Sequence, residues 1–207
     1  MIMVYVSRFR VFLVWVLCFG VALASWRFMV LGVEASMEFV AYHAIERRLA
    51  FFAHITLAPV ALMLMPFQFW TGLRARRPQV HRWIGRAYGV SILLAGVGGL
   101  LMAAGTTAGP VAAWGFGALA ALWLGSTGYG IWLALQGRIA EHQRWMIRSA
   151  ALTFAAVTLR LYLPLLFATL GEETGYTLVS WLCWVPNVAV AEWYLRRPLR
   201  RSVALAA

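Results

Sequence analysis

The stretch RARRPQVHRWIGR, from Arg74 to Arg86, runs directly into the apolar segment Ala87–Ala104, and that junction decides the fold. A band of arginines followed by a run long enough to cross hydrocarbon marks a point where a chain enters a membrane helix. Within the band, HRWIGR (His81 to Arg86) is echoed later by HQRWMIR (His142 to Arg148), which keeps the R-W-x-x-R frame and has another histidine ahead of it. The second copy also leads into an apolar segment.

Composition agrees with this reading. Of 207 residues, 63% are hydrophobic and 12% charged, and the mean hydropathy is +0.77. These values lie outside the range of soluble domains. A net charge of +11 raises nucleic acid as a partner, but all the basic residues are arginines and most lie in short segments between apolar runs rather than in one aromatic-interleaved patch. We therefore expect the lipid bilayer as partner and no nucleic acid. Cys18 and Cys183 each sit inside an apolar run, so no disulfide framework or CxxC metal motif exists.

A span needs roughly 20 apolar residues at about 1.5 Å of rise each. Six segments qualify, at about 11–31, 49–70, 87–104, 111–135, 147–170 and 176–194. The first follows Arg8 and Arg10 and contains ALAS (Ala22 to Ser25), which together match a signal peptide. Hydrophobicity resumes after Trp26 and Arg27, however, which favours an uncleaved helix with Arg27 snorkelling at the interface. Pro59 and Pro66 are expected to kink the second helix rather than end it.

With the N-terminus inside, Arg8, Arg10, Arg74, Arg76, Arg77, Arg82, Arg86, Arg138, Arg144, Arg148 and the arginines from Arg196 to Arg201 all fall on the cytoplasmic side. Only Arg27, Arg47 and Arg48 fall outside. The positive-inside rule thus predicts an all-α polytopic bundle of six transmembrane helices, both termini cytoplasmic, as a single integral domain of a bacterial inner membrane. Trp26, Trp70, Trp83, Trp145, Tyr176 and Trp193 at the span ends suit interfacial belts.

In this topology His81 and His142 begin helices three and five at matching depth. Paired imidazoles on a bundle can ligate a haem iron axially, each with its second nitrogen fixed by an acceptor. Arg86 and Arg148 would then hold propionates, and Gln68 belongs to the same polar site. The plainer reading is that both histidines sit among headgroups and that each R-W-x-x-R is an anchor. On the opposite side Glu38, His43, Glu46 and His54 offer a weaker metal or substrate constellation. Four histidines divided between two faces, with no aspartate, exclude an intramembrane zinc hydrolase of the helical type.

Arg160 is the costliest residue, because an arginine near the middle of a span costs at least about 2.5–3.5 kcal/mol on insertion scales. Its candidate partners are Asn187, Glu192, Gln68 and Thr158, a water-filled cavity, or an anionic ligand. With His54 it marks a second cavity for a quinone or substrate.

His54 with Pro59 (H-x-x-x-x-P), QFWTGLRARRPQVHRWIGRAYG, HQRWMIRSAALTFAAVTLRLYLP and WLCWVPNVAVAEW resemble a family of bacterial membrane proteins known only as a domain of unknown function. The resemblance covers roughly Ala50 to Tyr194 and implies a multi-helix membrane domain without naming a reaction. More loosely, the histidine placement resembles b-type cytochromes, although a second clear histidine pair is missing. The leading expectation is a redox protein with haem b at His81 and His142, passing electrons to a redox partner or quinone. The alternative is a non-enzymatic protein, either a small transporter using Arg160 to hold an anion or a structural subunit.

Overall fold

The computed structural model describes residues 2–197. Arg200 and Arg201 of the basic tail lie outside the described residues, as does the side chain of Arg8. The first long helix is α1 (Ile2–Ser25), followed by short helices α2 (Phe28–Leu31), α3 (Val33–Met37) and α4 (His43–Glu46). Then come α5 (Arg48–Phe69), α6 (Thr71–Arg76), α7 (Pro78–Ala104), α8 (Pro110–Leu135), α9 (Ile139–Thr153) and α10 (Ala155–Leu170). The last two are α11 (Glu172–Leu182) and α12 (Val185–Arg196). No strand occurs among the described residues.

Five helical stretches are long and apolar enough to cross a bilayer: Phe9–Leu31, Arg48–Phe69, Pro78–Ala104, Pro110–Leu135 and Ile139–Leu170. The sixth expected span is not one helix. Its segment divides into α11, of 11 residues, and α12, of 12 residues. At about 1.5 Å per residue, neither crosses hydrocarbon alone. The cause is Pro186 in the first turn of α12, which has no N–H for the Leu182 carbonyl four residues back and whose ring would clash with it, so the helix breaks at Cys183 and Trp184. Asn187 repairs the break: its Nδ2 donates to the Cys183 carbonyl at 3.0 Å and to Thr158 Oγ1 at 2.9 Å.

Helices α7 and α9 start earlier than hydropathy alone suggests, so the basic bands are themselves helical. Pro78 occupies the first turn of α7, where its missing N–H costs nothing. Gly171 ends α10 at φ 78°, ψ 168°, a conformation open essentially to glycine only, and this reverses the chain into α11.

The packing is that of a membrane bundle, with small and polar side chains inside and large apolar ones outside. Ser91, Ser126, Thr127, Ser149, Thr153 and Ser180 are buried, whereas Leu93, Leu94, Val97 and Leu101 on α7 and Leu161 and Leu165 on α10 are exposed. In water such a surface would aggregate; against lipid tails it costs nothing. Two of the expected belt residues, both half-buried, also tie their segments to the bundle. Trp26 Nε1 donates to the Thr56 carbonyl at 3.1 Å, and Tyr176 packs between Phe39 and Phe116 at ring separations of 4.6 and 5.1 Å. Each ring sits on a segment that folds back onto the bundle.

At the centre, a hydroxyl network joins α7, α8 and α9. The Tyr88 hydroxyl bonds Ser149 Oγ at 2.9 Å and Thr153 Oγ1 at 2.7 Å, and Trp123 Nε1 donates to Thr153 Oγ1 at 2.8 Å. Thr127 Oγ1 closes on Ser149 Oγ at 2.7 Å. A Tyr88→Phe variant is expected to lose about 1 kcal/mol, because it removes the Tyr88 hydrogen bonds while Ser149 keeps Thr127 and Thr153 keeps Trp123 as partners. Chemical unfolding in detergent measures this, and an unchanged midpoint would mean that the network adds nothing.

Candidate ligand cavity

The interior encloses a cavity of about 340 Å³. It lies at the end of the bundle opposite the His81 and His142 helix starts, and α5, α7, α8, α9 and α10 wall it. Its mouth is formed by Arg27, Ser36, Phe39 and His43 from the segment between α1 and α5, and its floor reaches Trp123 and Thr153 of the central network. Apolar groups such as Leu62, Phe116, Leu159 and Leu163 make up most of the wall. A few polar groups set in an apolar hollow is the usual character of a small-molecule site.

His54 projects from the first turns of α5 onto this wall. It lies flat against Gly99 of α7, where an added Cβ would stand 3.1 Å from the His54 Nδ1. Nδ1–H donates to the Ala95 carbonyl at 2.8 Å. With Nδ1–H so committed, a neutral ring keeps Nε2 as an acceptor, and Nε2 has no partner among the described residues.

Arg160, on α10, is half-buried on the same wall. None of its expected protein partners reaches it. Asn187 is held by Thr158, Cys183 and Ala151, and Glu192 is held by Arg148 through contacts of 2.5 and 3.1 Å. Gln68 reaches towards the His81 carbonyl at the far end. The reason is angular: residues two positions apart on an α-helix are separated by roughly 200°, so Thr158 faces α12 while Arg160 lines the cavity. The only hydrogen bond of Arg160 among the described residues runs from Nη1 to its own-helix carbonyl at Ala156, 3.0 Å away.

Arg27, which the sequence suggests is merely an interfacial anchor, is the charge whose field reaches Arg160. It too bonds only carbonyls, those of Ala24 at 3.2 Å and Ser36 at 2.5 Å. Among the described residues no carboxylate lies within ion-pair distance of either guanidinium. Ser36 gives no signal in the sequence, because a lone serine in a short outer helix resembles any surface residue.

His43, at the mouth in α4, is 2% exposed. Burial first, and then the Arg47 charge, hold its imidazole below the usual 6.5. The folded chain thus keeps the ring neutral while the unfolded chain takes up a proton below about pH 6.5, so stability falls as pH drops through that region. Melting temperature measured between about pH 7.5 and 5.5 should fall more steeply in the wild type than in His43→Gln; parallel curves would rule the contribution out.

At the arginine-rich end, His142 Nδ1 donates to the Gly130 carbonyl at 2.7 Å, and His81 lies within electrostatic range of His142. The His81 Nδ1 is buried with no hydrogen-bond partner among the described residues. Both flanking arginines are engaged: Arg148 by Glu192 and over the Trp145 ring at 4.7 Å, and Arg86 over the Trp83 ring at 4.7 Å. No cluster of three or more histidine, cysteine or acidic side chains that could hold a metal ion occurs among the described residues.

A family model described as "Predicted membrane protein (DUF2306)" matches residues 51–195. The chain belongs to this family. The DUF2306 match begins within α5 and ends within α12, so it takes in His54, Arg160 and both basic bands, whereas Arg27, Ser36 and His43 precede it. Family membership and the apolar helices together make this a multi-pass membrane protein. No curated protein and no solved structure matches the chain.

Proposed function

We propose that the protein binds, within the membrane, a small apolar molecule bearing an acid group, and that it serves as a carrier for such molecules. One observation supports this above all: Arg27 and Arg160 line one cavity, and among the described residues no carboxylate lies within ion-pair distance of either. A cation in hydrocarbon without a counter-charge is strongly disfavoured, and an anionic ligand supplies one. A neutral quinone would satisfy His54 but leave both guanidinia uncompensated. In this reading α11 and α12 together make the sixth crossing. The arginine-rich end and both termini then face the cytoplasm, in a bacterial inner membrane, in keeping with the arginine distribution.

The test is equilibrium binding of radiolabelled laurate and its neutral counterpart dodecanol to the protein in lipid nanodiscs, corrected with empty discs. Laurate is expected to bind at least about tenfold more tightly, the size of a single charge-assisted contact. Equal affinities would overturn the proposal.

A separate observation favours a second reading, haem b at His81 and His142. The Gly130 carbonyl fixes the His142 ring through Nδ1, so that Nε2 would be the nitrogen to hold an iron, and His81 lies within electrostatic range of it. Haem held there would supply one-electron chemistry; Arg86 and Arg148 would first have to leave Trp83 and Glu192 to meet its propionates. Purified protein lacking a Soret band after expression with added haem would rule this reading out.

A further inference from the structure

The mouth of the cavity contains more unused polar capacity than a single carboxylate can take up. Ser36 and His43 both line it, and they are 8% and 2% exposed. Ser36 Oγ and His43 Nδ1 nevertheless have no hydrogen-bond partner among the described residues. Buried polar atoms in folded chains are almost always paired, and leaving one unpaired is costly. Two such atoms in side chains that line one cavity, together with two guanidinia that have no counter-charge among the described residues, indicate that the site is completed by its ligand. Arg27 holds the Ser36 carbonyl at 2.5 Å, which ties that segment to the rim.

We infer that the acid group is a phosphate monoester, taken up by Arg27, Ser36 and His43 at the mouth and by Arg160 and His54 below, with an apolar chain running down towards Trp123. This rests on the binding proposal above and specifies its ligand. The reasoning is one of charge and valence. Two cations call for a dianion, and a phosphate monoester approaches a charge of −2 near neutral pH. It also presents three terminal oxygens to the donors of Arg27, Arg160, Ser36 and His43, whereas a carboxylate offers two. When the ester carries one proton, its O–H donates to His54 Nε2, which accepts because Nδ1–H is committed to the Ala95 carbonyl. A carboxylate bound at Arg160 leaves the mouth unsatisfied.

The same phosphate chemistry could come from a lipid head group or from free phosphate, and a three-ligand comparison in nanodiscs separates them. Dodecyl phosphate is expected to bind about tenfold or more tightly than laurate to the wild type, reflecting additional charge-assisted contacts. Ser36→Ala should weaken dodecyl phosphate several-fold and leave laurate nearly unchanged, while Arg27→Gln and Arg160→Gln should weaken both ligands, Arg27→Gln the phosphate more than laurate. Ser36→Ala removes only an unpaired hydroxyl, so it is expected to fold normally. Inorganic phosphate that displaces labelled dodecyl phosphate at equal concentration would identify the free anion as the ligand. No displacement in large excess would identify the lipid-borne ester. Equal affinities for laurate and dodecyl phosphate, or Ser36→Ala and Arg27→Gln variants that bind like wild type, would overturn the phosphate assignment while leaving the cavity proposal standing. If neither amphiphile binds, both readings fail.

Discussion

An Arg160→Gln variant should lose laurate binding by roughly tenfold to a hundredfold, the range of a lost charge-assisted anion contact, while its melting temperature stays level or rises. The opposing signs are what make the result informative. Arg160 spends one hydrogen bond on its own helix and has no counter-charge among the described residues, so its cation burdens the unliganded fold. Insertion scales put that burden at about 2.5–3.5 kcal/mol, part of which a neutral amide relieves. A structural arginine would behave in the opposite way: its removal would strand a partner and lower stability. A large drop in melting temperature together with intact laurate binding would therefore show that Arg160 holds the bundle together and not a ligand. Glu192→Gln is the control, because it disrupts a true ion pair with Arg148 at the other end and should leave laurate binding untouched.

The largest stability effect is expected at Gly98. Helices α5 and α7 approach most closely there: an added Cβ would run into the Ala50 carbonyl oxygen and touch the His54 Cβ at 3.3 Å. Backbone cannot step aside as a flexible side chain can, so Gly98→Val must push the two helices apart. Overpacking of this kind typically costs 1–3 kcal/mol, and with a branched residue against a carbonyl we expect about 3 kcal/mol or more. The readout is the fraction of monodisperse protein after detergent extraction, together with the unfolding midpoint. Gly125, which has open space around it, should tolerate alanine with little change. A Gly98→Val protein as stable as Gly125→Ala would refute the close approach of α5 and α7.

The membrane class, the spans and the importance of Arg160 are legible in the sequence because each follows from local chemistry. Ala87–Ala104 is apolar whatever it packs against, and an arginine in TFAAVTLRLYLP is costly in any bundle. The sixth span misleads for the opposite reason. Hydropathy averages over Trp181–Trp193 and does not register that Pro186 divides the segment into two short helices.

The site itself was only half visible. His54 and Arg160 stand out as polar residues in apolar runs, but Arg27 and Ser36 look like interfacial and surface residues until the segment after α1 folds back over the bundle. The expected partnership of Arg160 with Asn187 fails because sequence proximity of Thr158 and Arg160 hides their opposite faces on α10. What the sequence by itself determined is therefore which residues must leave water and which pay to do so, since those energies belong to single side chains and their immediate runs. Helix rotation and packing, by contrast, set which charges face each other, and they bring Arg27, His54 and Arg160 around one cavity with no carboxylate in ion-pair reach of either guanidinium among the described residues.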